Sequence, residues 1–190
     1  MSNLGFRLLY ALLNDQPGLA CERVFLPWPD LEGMLEERGL PLVTLESRAP
    51  VRDFDVLGVT LQFELCYTSV LAVLQLSGIP LLATERGDDA PIVVGGGPCA
   101  FNPEPVADFF DCFAVGEGEE VAVEIAEAVA ASGFRRGGAT RAEVLERLSR
   151  IPGVYVPAFF RPTHQADGTL AAIEALRPGY ERIERRVMPD

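Results

Sequence analysis

Pro91-Ile-Val-Val-Gly95-Gly-Gly-Pro-Cys-Ala-Phe-Asn-Pro-Glu104 is the stretch on which the fold turns. An apolar run of strand length enters a glycine triplet. The next such run, Asp111-Cys-Phe-Ala-Val115, enters Gly116-Glu-Gly-Glu-Glu120, and upstream Asp55-Val-Leu-Gly-Val-Thr60 enters the turn Leu61–Glu64. Short runs that are almost wholly apolar mark strands buried on both faces, the habit of parallel sheets. Helical stripes alternate with them: Tyr67, Val70, Leu71 and Leu74 after the first, Val121, Ile125 and Val129 after the last. Repeated strand, loop and helix predict an α/β fold with a doubly wound, mostly parallel sheet of the flavodoxin-like kind.

Working outward, Leu4, Leu8 and Leu12 share a helical stripe over Leu4–Asn14. Val24–Leu26 and Leu42–Leu45 read as short strands. Between them Asp30 reads as the N-cap of a helix ending at Gly39, with Leu31, Met34 and Leu35 turned inward. Pro105–Phe109 reads as one helical turn. Arg135–Ala139 reads as a flexible break, and Thr140-x-x-Glu143 as a capping box for a helix with Val144, Leu145 and Leu148 inward. Val154–Val156 and Ala158–Arg161 read as strands, and Asp167-Gly168 as the turn of a hairpin returning over Thr169–Leu176. The expected division is a core over 1–134, a helix plus hairpin extension over 135–176, and a linker over 177–190. Doubly wound domains usually open on a central strand; here the chain opens on a helix, so a first strand is expected to be missing, leaving an open edge through which two copies could pair.

The chain has 190 residues, 48% of them apolar, and carries a net charge of −12. That length suits one domain able to bury roughly 70% of its unfolded surface. No run approaches the roughly 20 apolar residues of a membrane span, and no basic segment precedes an apolar run at the N-terminus, so a cytoplasmic protein is expected. The acidic balance disfavours nucleic acid as a direct partner. All sixteen basic residues are arginine, which excludes lysine Schiff-base and phosphate-loop chemistry. Cys21, Cys66, Cys99 and Cys112 lack the Cys-x-x-Cys spacing of a structural zinc site; three of the four sit in or beside apolar segments and they read as structural small apolar groups, with Cys66 and Cys99 left open by their place in the loops.

In open α/β sheets ligands sit beyond the C-terminal strand ends. Three loops converge there, after Thr60, Gly95 and Val115. They carry the candidate ligand-binding residues Thr60, Gln62, Gly95, Gly96, Gly97, Pro98, Asn102, Glu104, Gly116 and Gly118. Glycines let a backbone approach a bulky ligand closely; a tight turn with no ligand explains the triplet as well. The carboxylates of Gly116–Glu120 suit a helix N-terminus and repel a phosphate there. No catalytic constellation and no metal set can be argued: His164, the sole histidine, lies in the hairpin, and neither Glu64 nor Glu104 is paired with a nucleophile.

The combined run Gly95–Pro105, Ala107–Asp111 and Val115–Glu119, with Leu4–Tyr10, Val24–Asp30 and Gly58–Tyr67, resembles the cobalamin-binding-type front domain of radical SAM proteins, in a poorly characterised branch. The likeness spans nearly the whole chain. It implies a second domain, a partial β/α barrel whose Cys-x-x-x-Cys-x-x-Cys loop holds a [4Fe–4S] cluster that cleaves S-adenosylmethionine; Ile183–Asp190 resembles the linker leading to it, and this chain has no such cysteine triplet. The well-known cobalamin loop, Asp-x-His-x-x-Gly, is matched at Met1–Gly5 without its histidine. The resemblance places Thr60 and Gly95–Gly97 along the cobalamin nucleotide tail, with Gln62 departing from the usual leucine. It implies a module that binds cobalamin or substrate, is not itself catalytic, and has the barrel as partner. A domain of the same fold that binds no cofactor, docking instead through Trp28, Phe101, Phe109 and Phe110, is the alternative; an independent flavin or nucleotide binder is disfavoured by the acidic third loop.

Overall fold

The structure, a computed structural model, describes residues 4–188. Its main sheet has four strands: β1 (Val56–Thr60), β2 (Ile92–Gly96), β3 (Cys112–Ala114) and β4 (Val154–Tyr155), in that spatial order. β1, β2 and β3 run parallel, with Thr60 beside Gly96 and Gly96 beside Ala114; β4 is antiparallel to β3. Helices α1 (Leu4–Asn14), α2 (Pro29–Arg38), α3 (Tyr67–Leu76), α4 (Gly118–Ala131) and α5 (Arg141–Leu148) complete the α/β layers. β5 (Phe160–His164) and β6 (Leu170–Ala175) form a separate antiparallel pair.

The two-residue alternation of a strand sorts the core. Val93 and Phe113 enter one cluster with Leu57 and with Val70 and Leu74 of α3. Ile92, Val94, Cys112 and Ala114 enter the other with Val121, Ile125 and Val129 of α4 and Val144 and Leu148 of α5. The sheet is thus covered on both faces, the doubly wound, mostly parallel arrangement the sequence predicts. The Thr140–Glu143 capping box forms, and Gly39 closes α2 in the left-handed conformation. No described helix is long and apolar enough to cross a membrane.

Beneath the N-terminal strand ends lies a buried charge cluster. Asp111, 1% exposed, accepts from Arg86 at 3.0 Å, from Arg141 at 2.7 Å and from the Val93 N–H at 2.8 Å. Nε and Nη2 of Arg86 bond the carbonyls of Pro80, Leu81 and Phe109, and those of Arg141 the carbonyls of Gly87, Ala90 and Pro91. Burial pulls the Arg86 guanidinium below its usual value, opposed by Asp111. With donors and acceptors paired, the cluster fixes the entries to β2 and β3 without an open position for a ligand.

Several local expectations fail for physical reasons. Val24–Leu26 joins no sheet, and Leu42–Leu45 contributes only an isolated bridge, Val43 to Pro50. A strand exists only through its ladder: 42–45 forms only a local one, with 49–51, and 24–26 makes no backbone hydrogen bond among the described residues. The cap of α2 is Trp28 rather than Asp30, because Pro29, with its preset φ, takes the first helical position. Leu31 and Met34 are exposed; neither α1 nor α2 fully buries a single side chain. Of the apolar contact residues expected, Trp28 (83% exposed) and Phe101 (58%) are open, whereas Phe110 is buried against Phe113.

Candidate functional site

At the C-terminal strand ends, Gln62 donates to the Thr60 hydroxyl at 2.6 Å, and both side chains face solvent. Gly97 has φ +97°, and a Cβ there would lie 3.0 Å from the Leu61 carbonyl oxygen and 3.3 Å from the Gln62 amide nitrogen. Glycine is therefore required twice over, by conformation and by the close approach. The Cys99 N–H donates to the same Leu61 carbonyl at 3.0 Å, locking the first loop against the second. Pro98 and Asn102 are exposed on the short 3₁₀ turn and its exit. Thr60, Gln62, Gly96, Gly97 and Pro98 thus converge.

The other glycines serve packing. A Cβ on Gly95 would sit 2.6 Å from the Phe113 ring and 3.2 Å from Phe110, so this position makes room for two core aromatics. Gly118 lies where α1 packs on α4: a Cβ there would meet a Leu9 methyl at 3.5 Å, an ordinary contact that a small side chain would also make. Glu104 points inward and accepts from the Tyr155 hydroxyl at 2.6 Å; burial first, and then this carboxylate, push the Tyr155 phenol up. The expected set therefore divides: five residues share one face, Asn102 borders it, and Gly95, Glu104 and Gly118 are occupied in the fold.

Gly116 is covered by the chain's own C-terminal segment. Arg186 donates its N–H to the Val115 carbonyl at 2.7 Å and accepts from the Glu117 N–H at 3.1 Å, continuing the sheet where β4 turns away. A Cβ on Gly116, at φ +110°, would lie 2.2 Å from the Arg186 carbonyl oxygen. The Arg186 guanidinium reaches Glu120 at 2.7 Å and Glu124 at 2.6 Å, and Glu117 accepts from the Met188 N–H. The acidic helix end is thus met by an arginine. Between this strap and the glycine loop lies a cavity of about 380 Å³, lined by Gly97, Pro98, Phe101, Gly116, Glu117 and the strap residues 185–187. Sequence reasoning missed Arg186 because no local signal links it to a helix 66 residues away.

The four cysteines are unpaired. Cys99 and Cys112 are buried, and burial pushes the Cys112 thiol up. No three-cysteine set, as a [4Fe–4S] cluster requires, is gathered among the described residues. His164 is exposed on the hairpin, far from these loops in sequence.

Three comparisons bear on identity. A stretch of 84 residues, 43% of this chain, is 32% identical to an uncharacterized protein of Methanocaldococcus jannaschii and spans 17% of that protein's length. Among solved structures, TsrM from Kitasatospora setae, a radical S-adenosylmethionine methyltransferase with tryptophan substrate and a SAM analog bound, is similar over 94% of this chain and 28% of its own, at 20% identity and a TM-score of 0.48. The family model for the N-terminal region of radical SAM proteins matches residues 5–157. Since that match takes in both faces of the sheet and all three loops, the chain belongs to the family of radical SAM protein N-terminal domains.

Proposed function

We propose that this domain is a non-catalytic cofactor- or substrate-binding module of a cytoplasmic radical SAM enzyme, with a core over 1–134, an extension over 135–176 and a linker over 177–190 toward the catalytic barrel as partner. The observation that carries the reading is the lock between the Leu61 and Gly97 loops, which leaves Thr60, Gln62 and the Gly96–Gly97 backbone facing solvent beside an open cavity. Neutral hydroxyl, amide and peptide groups suit a large ligand rich in amides. Cobalamin fits that description: Thr60, Gln62, the Gly96–Pro98 backbone and Asn102 would hold it, and it would supply an alkyl-carrying cobalt centre. No histidine accompanies these loops, so cobalt would be held without a histidine ligand from them. The [4Fe–4S] cluster and S-adenosylmethionine do not fit this chain's residues and are assigned to the barrel.

Titration of the purified chain with hydroxocobalamin, read by spectral shift and calorimetry, is the test. Saturable one-to-one binding is expected, weakened roughly tenfold or more in Gly97→Ala, where the two loops must separate. No binding up to about millimolar ligand, weaker than about −4 kcal/mol, would favour the alternative, a docking domain that binds no cofactor. The exposure of Leu65 (86%) and Trp28 supports that second reading; co-purification with the separately expressed barrel would then be its signature.

A further inference from the structure

We infer that Tyr155, with Glu104 as its base, is a one-electron donor: an oxidised transition-metal complex takes an electron from the Tyr155 ring while the phenol proton moves to Glu104. Phenol, carboxylate and oxidised metal complex become a neutral tyrosyl radical, a carboxylic acid and the metal complex reduced by one electron. The geometry of the pair carries this. The Tyr155 hydroxyl donates to Glu104 Oε1 at 2.6 Å, the length of an O–H···O⁻ bond to an ionised acceptor. The Tyr155 ring is buried beside Phe113 and Phe160, with ring centres 6.2 and 4.9 Å away. Glu104 is only half-buried, so a proton that it takes has a way out to water. A dry ring lets a radical persist, and an ionised partner lets it form by shedding the proton. A mere tie between β4 and the second loop would need neither. The inference stands whatever the Thr60 and Gly97 loops bind.

The neighbouring rings give the electron its path and fix where the oxidised site comes to rest. Phe160 meets Tyr180 with ring centres 5.4 Å apart, so ring contacts lead from buried Tyr155 to half-buried Tyr180. The Tyr180 hydroxyl donates to the Val154 carbonyl at 2.6 Å. A peptide carbonyl accepts a hydrogen bond but does not take the proton, so an oxidised Tyr180 keeps its proton and recovers its electron from Tyr155. The next ring, Phe159, lies 6.0 Å from Tyr180 under the Arg177 guanidinium, which stands 3.6 Å from its centre. A fixed cation over a ring opposes positive charge on that ring. The same holds for Tyr10, where the Arg23 guanidinium lies 4.8 Å above the ring. Of these rings, Tyr155 alone has a carboxylate on its hydroxyl.

The probe is photogenerated tris(bipyridine)ruthenium(III) added to the full chain, read by transient absorption and by electron paramagnetic resonance of the frozen product. A Trp28→Phe background removes the signal of that exposed indole. A neutral tyrosyl radical is expected, and Tyr155→Phe should abolish it. Glu104→Gln separates the two roles of the carboxylate. Its amide oxygen still accepts the Tyr155 hydrogen bond and keeps the tie, but it takes no proton, so the radical should form roughly a hundredfold more slowly. No tyrosyl radical in the parent chain overturns the inference. So does an undiminished yield in Tyr155→Phe, or an unchanged rate in Glu104→Gln. If Tyr155→Phe fails to fold, the Glu104→Gln rate still decides.

Discussion

Asp111 is the residue on which the N-terminal end of the sheet hangs. Two guanidinium groups and a backbone N–H converge on one carboxylate that is 1% exposed. Removing one member of a buried charge set is far worse than never having built it, because the partners keep their charge and lose its compensation. Arginine cannot escape by losing its proton. Asp111→Ala should therefore destabilise the chain by roughly 3–5 kcal/mol, read as a shifted denaturation midpoint at an unchanged slope. A loss below about 1 kcal/mol would mean that water enters and hydrates both arginines. Gly95 shows the limit of reading residues singly. Its place in a glycine triplet points to ligand access, yet the space it leaves is filled by Phe113 and Phe110. Only packing between strands reveals that, and packing has no local sequence signal.

At the scale of elements, β2, β3, α4 and α5 were legible because each carries its own evidence: a continuous apolar run, a 3.6-residue stripe, or a capping box. Val24–Leu26 has the composition of a strand but depends on a neighbour that composition cannot supply. Two local carboxylate anchors set an acid response. The Thr44 hydroxyl, then Ser47, hold Glu22 below the ordinary glutamate value of 4.5 and tie the Cys21–Arg23 stretch to the 44–47 turn. The Thr140 N–H and hydroxyl hold Glu143 low at the start of α5. Depressed folded values mean that this stability is fully present above pH 4.5 and is lost as pH falls through the lower folded values. Melting temperature should accordingly fall on acidification below that point, and the fall should be shallower in a Glu22→Gln, Glu143→Gln double variant. An equal slope in both proteins would place the acid sensitivity elsewhere.

For the whole molecule, the strap is the long-range tie. Residues 183–188 are mostly exposed, yet Arg186 completes the sheet beside Val115 and bridges Glu120 and Glu124. In Arg186→Glu a third carboxylate would face those two. The Arg186 and Glu117 amides, which form the strap ladder, should then exchange roughly tenfold faster while the β1–β3 ladder keeps its protection. Acceleration spread over the whole sheet would show that the strap is part of the global fold rather than a separately opening piece. The strap also orders events in time. A chain made from its N-terminus presents β1, β2, β3 and α4 well before Arg186 exists, that arginine coming 66 positions after Glu120. Until it arrives, Glu120 and Glu124 stand one helical turn apart with like charge and no cation between them. Closure of this end of the sheet therefore comes after β1–β3 and α4 are in place, and it marks the moment when synthesis has passed the strap.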